Sequence, residues 1–479
     1  MAAGSVAGLA VAFHWFGWTS IPGNACGDRY GPCPDGTVPT ILLAFLCTFA
    51  GMGLVTWRVV ELTRVRSGKA LPAVLVVTGM LLALWPGWRA YAWMRGPVLD
   101  RAWQAPLDRP STVKGVGNWV LDGAVVRART DGLTSFDLAD GRERWNVDAP
   151  VRGSACAMSD TVPDGVGVIA FGREAGPCDT VWGIDTASGR KLWERKTTGV
   201  AAFGPTDGRV SADSGVAVVL EAAAVQGFAL RTGVPRWKVD LGEGCSPVVA
   251  SAAAGRTRVV NQCVSGSAFR SLELVTFDTA NGTHVRRTAL PAESDAETVM
   301  VISARPFALW LKEKDERGTD AVLAFDDQDR LRGTVKTSGR AEDLHLTTYP
   351  EHGFDARPSL RAAVVGDVLV TAVTKPGEAV PAAVSGYALD GGRRLWHTGA
   401  GGPVTALTRL PENRLAVLAD GRIRSLDPHT GHLAEGPLIR EGLDEVADAS
   451  QLVPGRDGDW VLVNPEGTGV MPPLLGVGR

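Results

Sequence analysis

The segment TVWGIDTASGRKLWERK, from Thr180 to Lys196, decides the fold. Alternating apolar residues on both sides of a turn rich in Asp, Ser and Gly predict two antiparallel strands. The aspartate can accept a hydrogen bond from the backbone two residues on, and the glycine can adopt the positive φ that a short loop requires. Related text precedes Trp145, Trp237 and Trp396, so the hairpin is a repeated unit.

The repeat has a regular spacing. Like positions of the turn are occupied by Asp137, Asp185, Ala229, Asp278, Asp326, Asp390 and Asp427. The period is about 40–50 residues, with one longer interval, which is typical of the four-stranded blade of a β-propeller. Short apolar runs between the turns, such as GVGVIAFG and DVLVTAV, predict strands, and long helical periodicity is lacking. We therefore expect an all-β domain.

The two ends of this region complement each other. Residues 99–108 resemble an outer strand without its hairpin, whereas the C-terminal segment resembles inner strands without an outer one. Sharing one blade between residues 99–108 and 446–474 would close the ring and leave few strand edges exposed. The seven turns and this shared blade predict an eight-bladed propeller over residues 99–479, with seven blades as the alternative.

The tryptophan after each turn is predicted to pack between blades. A large flat ring on the outer strand can fill the wedge between neighbouring sheets. We assign this packing role to Trp145, Trp193, Trp237 and Trp396. Because every repeat needs them, the turn aspartates and these tryptophans are interpreted as building elements and not as ligands or catalysts.

Residues 1–96 are predicted to form a membrane domain. Three apolar stretches indicate transmembrane helices at about residues 4–21, 38–57 and 71–91, close to the ~20 residues that cross a bilayer. The first stretch is short and contains His14. It lacks the basic region that begins a signal peptide.

Basic residues predict the orientation of these helices. The loop after the second span contains Arg58, Arg64, Arg66 and Lys69, whereas the loop after the first span contains only Arg29. Cytoplasmic loops are enriched in Lys and Arg. The protein is therefore expected in the bacterial cytoplasmic membrane as a multi-pass protein, with its propeller outside the cytoplasm.

The seven cysteines agree with an oxidising compartment. Six lie in local pairs that are candidates for disulfides: Cys26 with Cys33, Cys156 with Cys178, and Cys245 with Cys263. The seventh, Cys47, stands alone in the second span. Sequence does not fix the connectivity, and these spacings are not those of a zinc site.

The motif of GIDTASGRKLW, with its variants SFDLADGRERW, GFALRTGVPRW and GYALDGGRRLW, resembles the repeat of the PQQ-like (quinoprotein-type) β-propellers. The resemblance implies the fold and leaves the function open. Some members are dehydrogenases that use pyrroloquinoline quinone (PQQ) and calcium. Others bind no cofactor, such as the propeller lipoprotein of the outer-membrane β-barrel assembly machinery and the sensor domains of some bacterial kinases.

A quinone site is not expected in this chain. The dehydrogenases of that type carry adjacent cysteines or an equivalent lid over the quinone, and this chain has no adjacent cysteines. No stretch matches their calcium ligands or catalytic aspartate. We therefore predict no cofactor and no catalytic residue, with PQQ and calcium as the alternative.

The longest interval between repeats contains EDLHLTTYPEHGFD, from Glu342 to Asp355. Because binding residues often lie on loops, His345, His352 and Asp355 are weak candidates for a metal site. The alternative is a solvated loop with incidental histidines.

These observations predict a non-catalytic binding or scaffold module in the bacterial cell envelope. Its expected partners are the lipid bilayer and an envelope protein or peptide. The formal net charge of −3 gives no basic footprint for nucleic acid. The alternatives are a PQQ-dependent oxidoreductase and a ligand sensor coupled to a membrane partner.

Overall fold

The computed structural model describes most of the chain. The described residues are 2–19, 36–62, 70–110, 113, 115–173, 176–199, 209–348, 359–439, 451–456, 458–464 and 472–478. Three helices come first: α1 (Ala2–Thr19), α2 (Thr37–Leu62) and α3 (Ala70–Arg95). They begin and end within a few residues of the predicted spans, and α2 and α3 each extend further at the C-terminal end. Of the basic residues predicted to be cytoplasmic, Arg58 lies in α2, whereas Arg64, Arg66 and Lys69 lie outside the described residues.

Helix α1 packs against both α2 and α3. Its contact with α3 depends on small residues, because a Cβ on Gly4 would lie 2.1 Å from the Val76 carbonyl oxygen and one on Gly8 would lie 2.5 Å from that of Met80. Small residues spaced four apart allow this close approach between helices in membranes. By length and apolar character, one helix of the described part, α2, could cross a membrane, through Thr37–Leu54, and most of that segment is exposed.

After α3, the described residues form sheets whose strands pair antiparallel, apart from one short parallel pair in the last sheet. Sheet 1 contains β2 (Gly115–Leu121), β3 (Ala124–Arg129), β4 (Gly132–Asp137) and β5 (Glu143–Asp148). Sheet 2 contains β6 (Ser154–Met158), β7 (Val166–Gly172), β8 (Thr180–Asp185) and β9 (Lys191–Lys196). Sheet 3 contains β10 (Val210–Asp213), β11 (Val216–Glu221), β12 (Ala224–Ala229) and β13 (Pro235–Asp240). Sheet 4 contains β14 (Cys245–Ala253), β15 (Arg256–Ser265), β16 (Ala268–Asp278) and β17 (His284–Ala289). Sheet 5 contains β18 (Ala296–Ala304), β19 (Phe307–Glu313), β20 (Asp320–Phe325) and β21 (Leu331–Lys336).

The later sheets are less regular. Sheet 6 contains β22 (Asp343–His345), β25 (Ala362–Val365), β26 (Val368–Thr374), β27 (Ala383–Ala388) and β28 (Arg394–Gly399), while β23 (Thr347–Thr348) and β24 (Ser359–Leu360) form a pair of their own. Sheet 7 contains β1 (Val98–Gln104), β29 (Val404–Arg409), β30 (Leu415–Ala419), β31 (Arg422–Leu426), β32 (Leu433–Ala434), β33 (Leu438–Ile439), β34 (Gln451–Pro454), β35 (Trp460–Val463) and β36 (Leu474–Gly478).

The first strands of successive sheets lie side by side, from β2 through β6, β10, β14, β18, β25 and β29 to β34. Their outer strands therefore point away from a common centre, as in a β-propeller. The apolar core lies between neighbouring sheets: Val168 and Val181 of sheet 2, for example, pack in one buried cluster with Ala217 and Phe228 of sheet 3. Burying both faces of each sheet accounts for the short, continuous apolar strands.

The two ends of the chain meet in sheet 7. Strand β1 pairs with β36, with Asp100 opposite Gly478. The sequence-based segment 446–474 ends where this strand begins, so most of β36 lies beyond it. The buried Arg127 guanidinium of sheet 1 contacts Asp108 at 2.7 Å and also donates to the Asn464 carbonyl oxygen. A buried, charge-assisted contact thus joins the first sheet to the last.

The turn chemistry predicted for the repeats is confirmed. The side chain of Asp137 accepts a hydrogen bond from the Ala139 amide at 2.8 Å, and that of Asp278 accepts one from Ala280 at 3.0 Å. At the same place in the quoted segment, Asp185 accepts from Ser188 at 3.0 Å, and Gly189 has a φ of +72°.

The predicted blade-packing tryptophans contact the turn of the following sheet. The Trp145 indole donates to the Thr186 carbonyl oxygen at 3.2 Å, and its ring would lie 2.6 Å from a Cβ on Gly189. The same indole-to-carbonyl bond is made by Trp193 to Leu230 (2.6 Å), Trp237 to Thr279 (2.9 Å) and Trp396 to Pro428 (2.8 Å). Each indole therefore packs its ring against the turn of the following sheet and donates its N–H to a carbonyl oxygen of the same turn.

Two sheet boundaries lack this contact. In register with the tryptophans, sheet 4 has Arg286 and sheet 5 has Gly333. At the boundary of sheets 4 and 5, a salt bridge joins Arg258 to the buried Asp329 at 2.6 Å. At the next boundary, the backbone packs directly, because a Cβ on Gly333 would lie 2.0 Å from the Leu389 carbonyl oxygen.

Disulfides join Cys156 to Cys178 within sheet 2 and Cys245 to Cys263 across β14 and β15. All four cysteines are buried. Cys47 is a free thiol in α2. The predicted pair Cys26 and Cys33 lies outside the described residues.

Candidate functional site

The innermost strand of sheet 6 is interrupted. Its two pieces, β22 and β25, both pair with β26, through Asp343 opposite Thr374 and Val365 opposite Val368. The chain between them includes the β23–β24 pair, and this insertion accounts for the longest interval between repeats. Of the sequence-predicted loop candidates, His345 is the last residue of β22, whereas His352 and Asp355 lie outside the described residues.

His345 lies at the base of this insertion and bonds within the fold. Its Nε2 atom is 3.1 Å from Thr374 Oγ1. Burial, and secondly the positive charge of Arg361, lower the pKa of His345, while Asp343 opposes them. The imidazole is therefore favoured in its neutral form. Within the described ranges, no group of three His, Cys, Asp or Glu residues is placed to hold a metal ion.

A polar cluster surrounds Glu342, the residue that precedes β22. The Tyr387 hydroxyl donates to Glu342 Oε1, and the Ser385 hydroxyl donates to Oε2 at 2.9 Å. Arg394 Nη1 lies 3.1 Å from Oε1, and His397 Nδ1 lies 2.9 Å from Oε2. Glu342, Ser385 and Tyr387 are buried, whereas the side chains of Arg394 and His397 are about half exposed. We call these five residues the Glu342 cluster.

The cluster stabilises the ionised carboxylate. Burial is the largest influence and would raise the pKa of Glu342, but the hydrogen bonds from Tyr387, Arg394 and Ser385 outweigh it and hold that pKa below its usual value. Burial and the bond to the carboxylate raise the pKa of the Tyr387 hydroxyl. At neutral pH, the cluster therefore contains a carboxylate whose oxygens are both occupied by donors.

The geometry does not form a nucleophile relay. Ser385 Oγ and Glu342 Oε2 both approach the same ring nitrogen, Nδ1 of His397, at 3.0 and 2.9 Å. A serine relay requires the base to contact the serine through one ring nitrogen and the acid through the other. Ser385 is also fully buried. The half-exposed edges of His397 and Arg394 are the part of the cluster that an external group can reach.

Sequence reasoning identified the Glu342 segment but missed its partners. Ser385 and His397 face each other across β27 and β28, 43 and 55 residues after Glu342. Ser385 and Tyr387 alternate along β27, whose sequence is that of an ordinary strand of the repeat. Only the pairing of β22 with β26 brings the carboxylate to this sheet.

A PQQ-type repeat model described as "Outer membrane protein assembly factor BamB" matches residues 100–332, a little under half of the chain. No curated protein matches the chain. Among solved structures, BamB from Moraxella catarrhalis is 14% identical, with 79% of this chain and 97% of that chain covered and a TM-score of 0.44.

Quinohemoprotein alcohol dehydrogenases are similar to a comparable degree. ADHIIG from Pseudomonas putida HK5 is 12% identical, covering 79% of this chain and 75% of its own, with a TM-score of 0.47. The enzyme from Comamonas testosteroni is 11% identical, covering 80% and 76%, with a TM-score of 0.45. The match of the repeat model and the recurring Asp–Gly–Trp hairpins agree, and residues 100–332 of this chain consist of PQQ-like repeats of the β-propeller type.

Proposed function

We propose that this protein is a membrane-anchored, extracytoplasmic propeller that acts as a non-catalytic binding or scaffold module in the bacterial cell envelope. The observation that carries the proposal is that the repeated polar and aromatic residues serve the fold itself. The turn aspartates bond to their own backbone and the tryptophans to the next turn. The buried carboxylate of Glu342 is likewise saturated by internal donors.

The envelope location is supported by two independent features. The matched repeat model is named for an outer-membrane assembly factor. Two disulfides are buried within the propeller, and disulfides persist in oxidising compartments.

The proposed anchor consists of α1, α2 and α3. Helix α2 is long and apolar enough to span a bilayer, and α1 contacts α3 through small residues, as transmembrane helices do. We further propose that the propeller has eight blades over residues 99–479. Sheet 7 then counts as two blades, which the two-residue pairing of β33 with β1 connects.

In-cell crosslinking of the tagged, full-length protein, followed by affinity capture and mass spectrometry, tests the binding function. We expect a stoichiometric envelope protein. Capture without any protein, together with PQQ- and calcium-dependent dye reduction, would replace this proposal with the oxidoreductase.

Cysteine labelling on intact cells tests the orientation. In a variant without Cys47, a cysteine at the exposed position of Val151 should react with an impermeant maleimide, whereas a cysteine at Arg66 should be protected. The reverse pattern would place the propeller in the cytoplasm and contradict the proposal.

A further inference from the structure

The boundary between sheets 4 and 5 contains a pocket of about 310 Å³. It lies beside the turn on which a tryptophan of sheet 4 would dock, but Arg286 occupies that register position. The pocket is lined by Arg256, Arg258, Arg305 and Phe307, together with Asp326 and Asp327 of the turn. We call it the arginine pocket.

Its floor is rigid. Arg258 is nine-tenths buried, donates from Nε to Asp329 Oδ1 at 2.6 Å and lies over the Phe307 ring at 5.1 Å from its centre. Arg256 donates to the Asp327 carbonyl oxygen at 3.0 Å. The salt bridge and the aromatic contact fix the guanidinium plane, and a fixed guanidinium loses little side-chain entropy when it binds an anion.

Donors remain available both at the base and at the rim of the pocket. The terminal nitrogens of Arg258 make no hydrogen bond to any described residue, although they belong to a side chain that lines the pocket. Arg305 is exposed, and its guanidinium has no partner in the described part of the chain. Two arginines thus offer planar pairs of donors, the geometry that carboxylates accept.

The charge of the pocket favours a singly charged anion. Asp329 lies 2.6 Å from Arg258 and 3.9 Å from Arg256, and the carboxylate of Asp327 belongs to the lining. Asp326 is paired with Arg330 at 2.7 Å. One positive charge is therefore left in excess. The volume lies at the lower limit for ligand pockets and accommodates one side chain or chain end.

We propose that the arginine pocket binds a single carboxylate presented by a polypeptide, either its C-terminus or an acidic side chain. This inference rests on the proposed binding function, for which it supplies the chemistry of the partner at one face of the propeller. The apolar Phe307 ring would contact the carbon atoms next to the carboxylate.

Fluorescence anisotropy with the full-length protein in detergent tests the proposal and separates the two sources. Three peptides with a neutral dye are compared: Gly-Ser-Gly-Glu amide, Gly-Ser-Gly-Gln with a free C-terminus, and Gly-Ser-Gly-Gln amide. We expect one carboxylate peptide to bind about tenfold or more tightly than the uncharged one, as for a charged hydrogen bond of at least ~1.4 kcal/mol. Equal affinities, or no binding of any peptide, would overturn the proposal.

The variant Arg305→Gln should weaken the preferred peptide about tenfold at an unchanged Tm, because this side chain makes no described contact. Arg317→Gln is the matched control: Arg317 is also exposed, and it lines a different pocket. An equal loss of peptide affinity in both variants would mean that the peptide is attracted by charge alone, and the proposed binding site would be wrong.

The two proposals fail separately. If Arg305→Gln abolishes peptide binding while crosslinking captures no envelope protein, the pocket stands and the scaffold function fails. If the parent and Arg305→Gln capture the same partner equally and bind the peptides equally, the pocket is overturned and the scaffold function stands.

Discussion

Sheets 2 and 3 pack together through a tryptophan, whereas sheets 4 and 5 pack together through an ion pair. At the first boundary, the Trp193 indole covers Gly233 and donates to Leu230. At the second boundary, Arg258 and the buried Asp329 form the contact, and a pocket remains. The ring buries apolar area with one hydrogen bond, whereas the ion pair must offset the desolvation of two charges. The same blade geometry therefore accommodates either an indole or an ion pair between two sheets. Of these two boundaries, the one with the ion pair leaves hydrogen-bond donors for a ligand.

The largest effect is expected for Trp193→Ala. Truncating a buried ring leaves a cavity between sheets, which should lower the free energy of unfolding by about 3–5 kcal/mol. Urea unfolding of the full-length protein in detergent, monitored by circular dichroism, measures it. A loss below about 1 kcal/mol would mean that the docked indole is dispensable and that the comparison is wrong.

Breaking the ion pair between Arg258 and Asp329 should lower the free energy of unfolding almost as much. Asp329→Asn keeps a residue that tolerates the positive φ of 55° but leaves Arg258 buried without its counter-charge. The expected loss is about 3 kcal/mol. Adding Arg258→Met removes the unpaired charge, so the double variant should unfold at a higher urea concentration than Asp329→Asn alone. A double variant that is less stable than the single one would contradict this account.

The Glu342 cluster stabilises sheet 6 in a pH-dependent manner. The pKa of Glu342 is lower in the folded protein than its ordinary value of 4.5. Its ionic contribution is therefore present above that value and is lost as the pH falls through the lower, folded pKa. Glu342→Gln should cost about 1–3 kcal/mol at pH 7, and the difference should shrink towards pH 3.

Paired urea unfolding curves between pH 3 and 7 measure this dependence. Glu316→Gln, at an exposed carboxylate, is the control and should change stability by less than about 0.5 kcal/mol. A pH-independent difference for Glu342→Gln would show that the charge of Glu342 is irrelevant and that only its shape matters.

The smallest effect is expected for Arg286→Ala. Arg286 occupies the register position of the tryptophans but is exposed, and among the described residues its side chain hydrogen-bonds to Thr288 alone, at 3.4 Å. The change in unfolding free energy should stay within about 0.5 kcal/mol. The side chain at this position relative to the turn would then contribute about 3–5 kcal/mol to the free energy of unfolding at Trp193 and almost nothing at Arg286. A large loss would show that Arg286 docks in solution.

Much of the fold was predictable, because each repeat contains its own local signals. In turns such as that from Asp185 to Gly189, the aspartate and glycine act within a few residues. The contacts of Trp145, Trp193, Trp237 and Trp396 recur as the same indole-to-carbonyl hydrogen bond. The strand that pairs with β1, LLGVG, lies almost wholly after the segment 446–474 that the sequence reading assigned to the shared blade. Of the predicted metal candidates, only His345 lies in the described part, where it bonds to Thr374 and is favoured neutral.

The sequence by itself determined the repeating hairpin and the apolar helices, because turn geometry and strand alternation depend on neighbours along the chain. Only the tertiary structure decided the Glu342 cluster and the arginine pocket. Glu342 meets His397 across 55 residues, and Arg258 meets Asp329 across 71. The first contact requires β22 to pair with β26 within sheet 6, and the second requires sheets 4 and 5 to stand side by side. No local pattern records which polar side chains such pairings bring together.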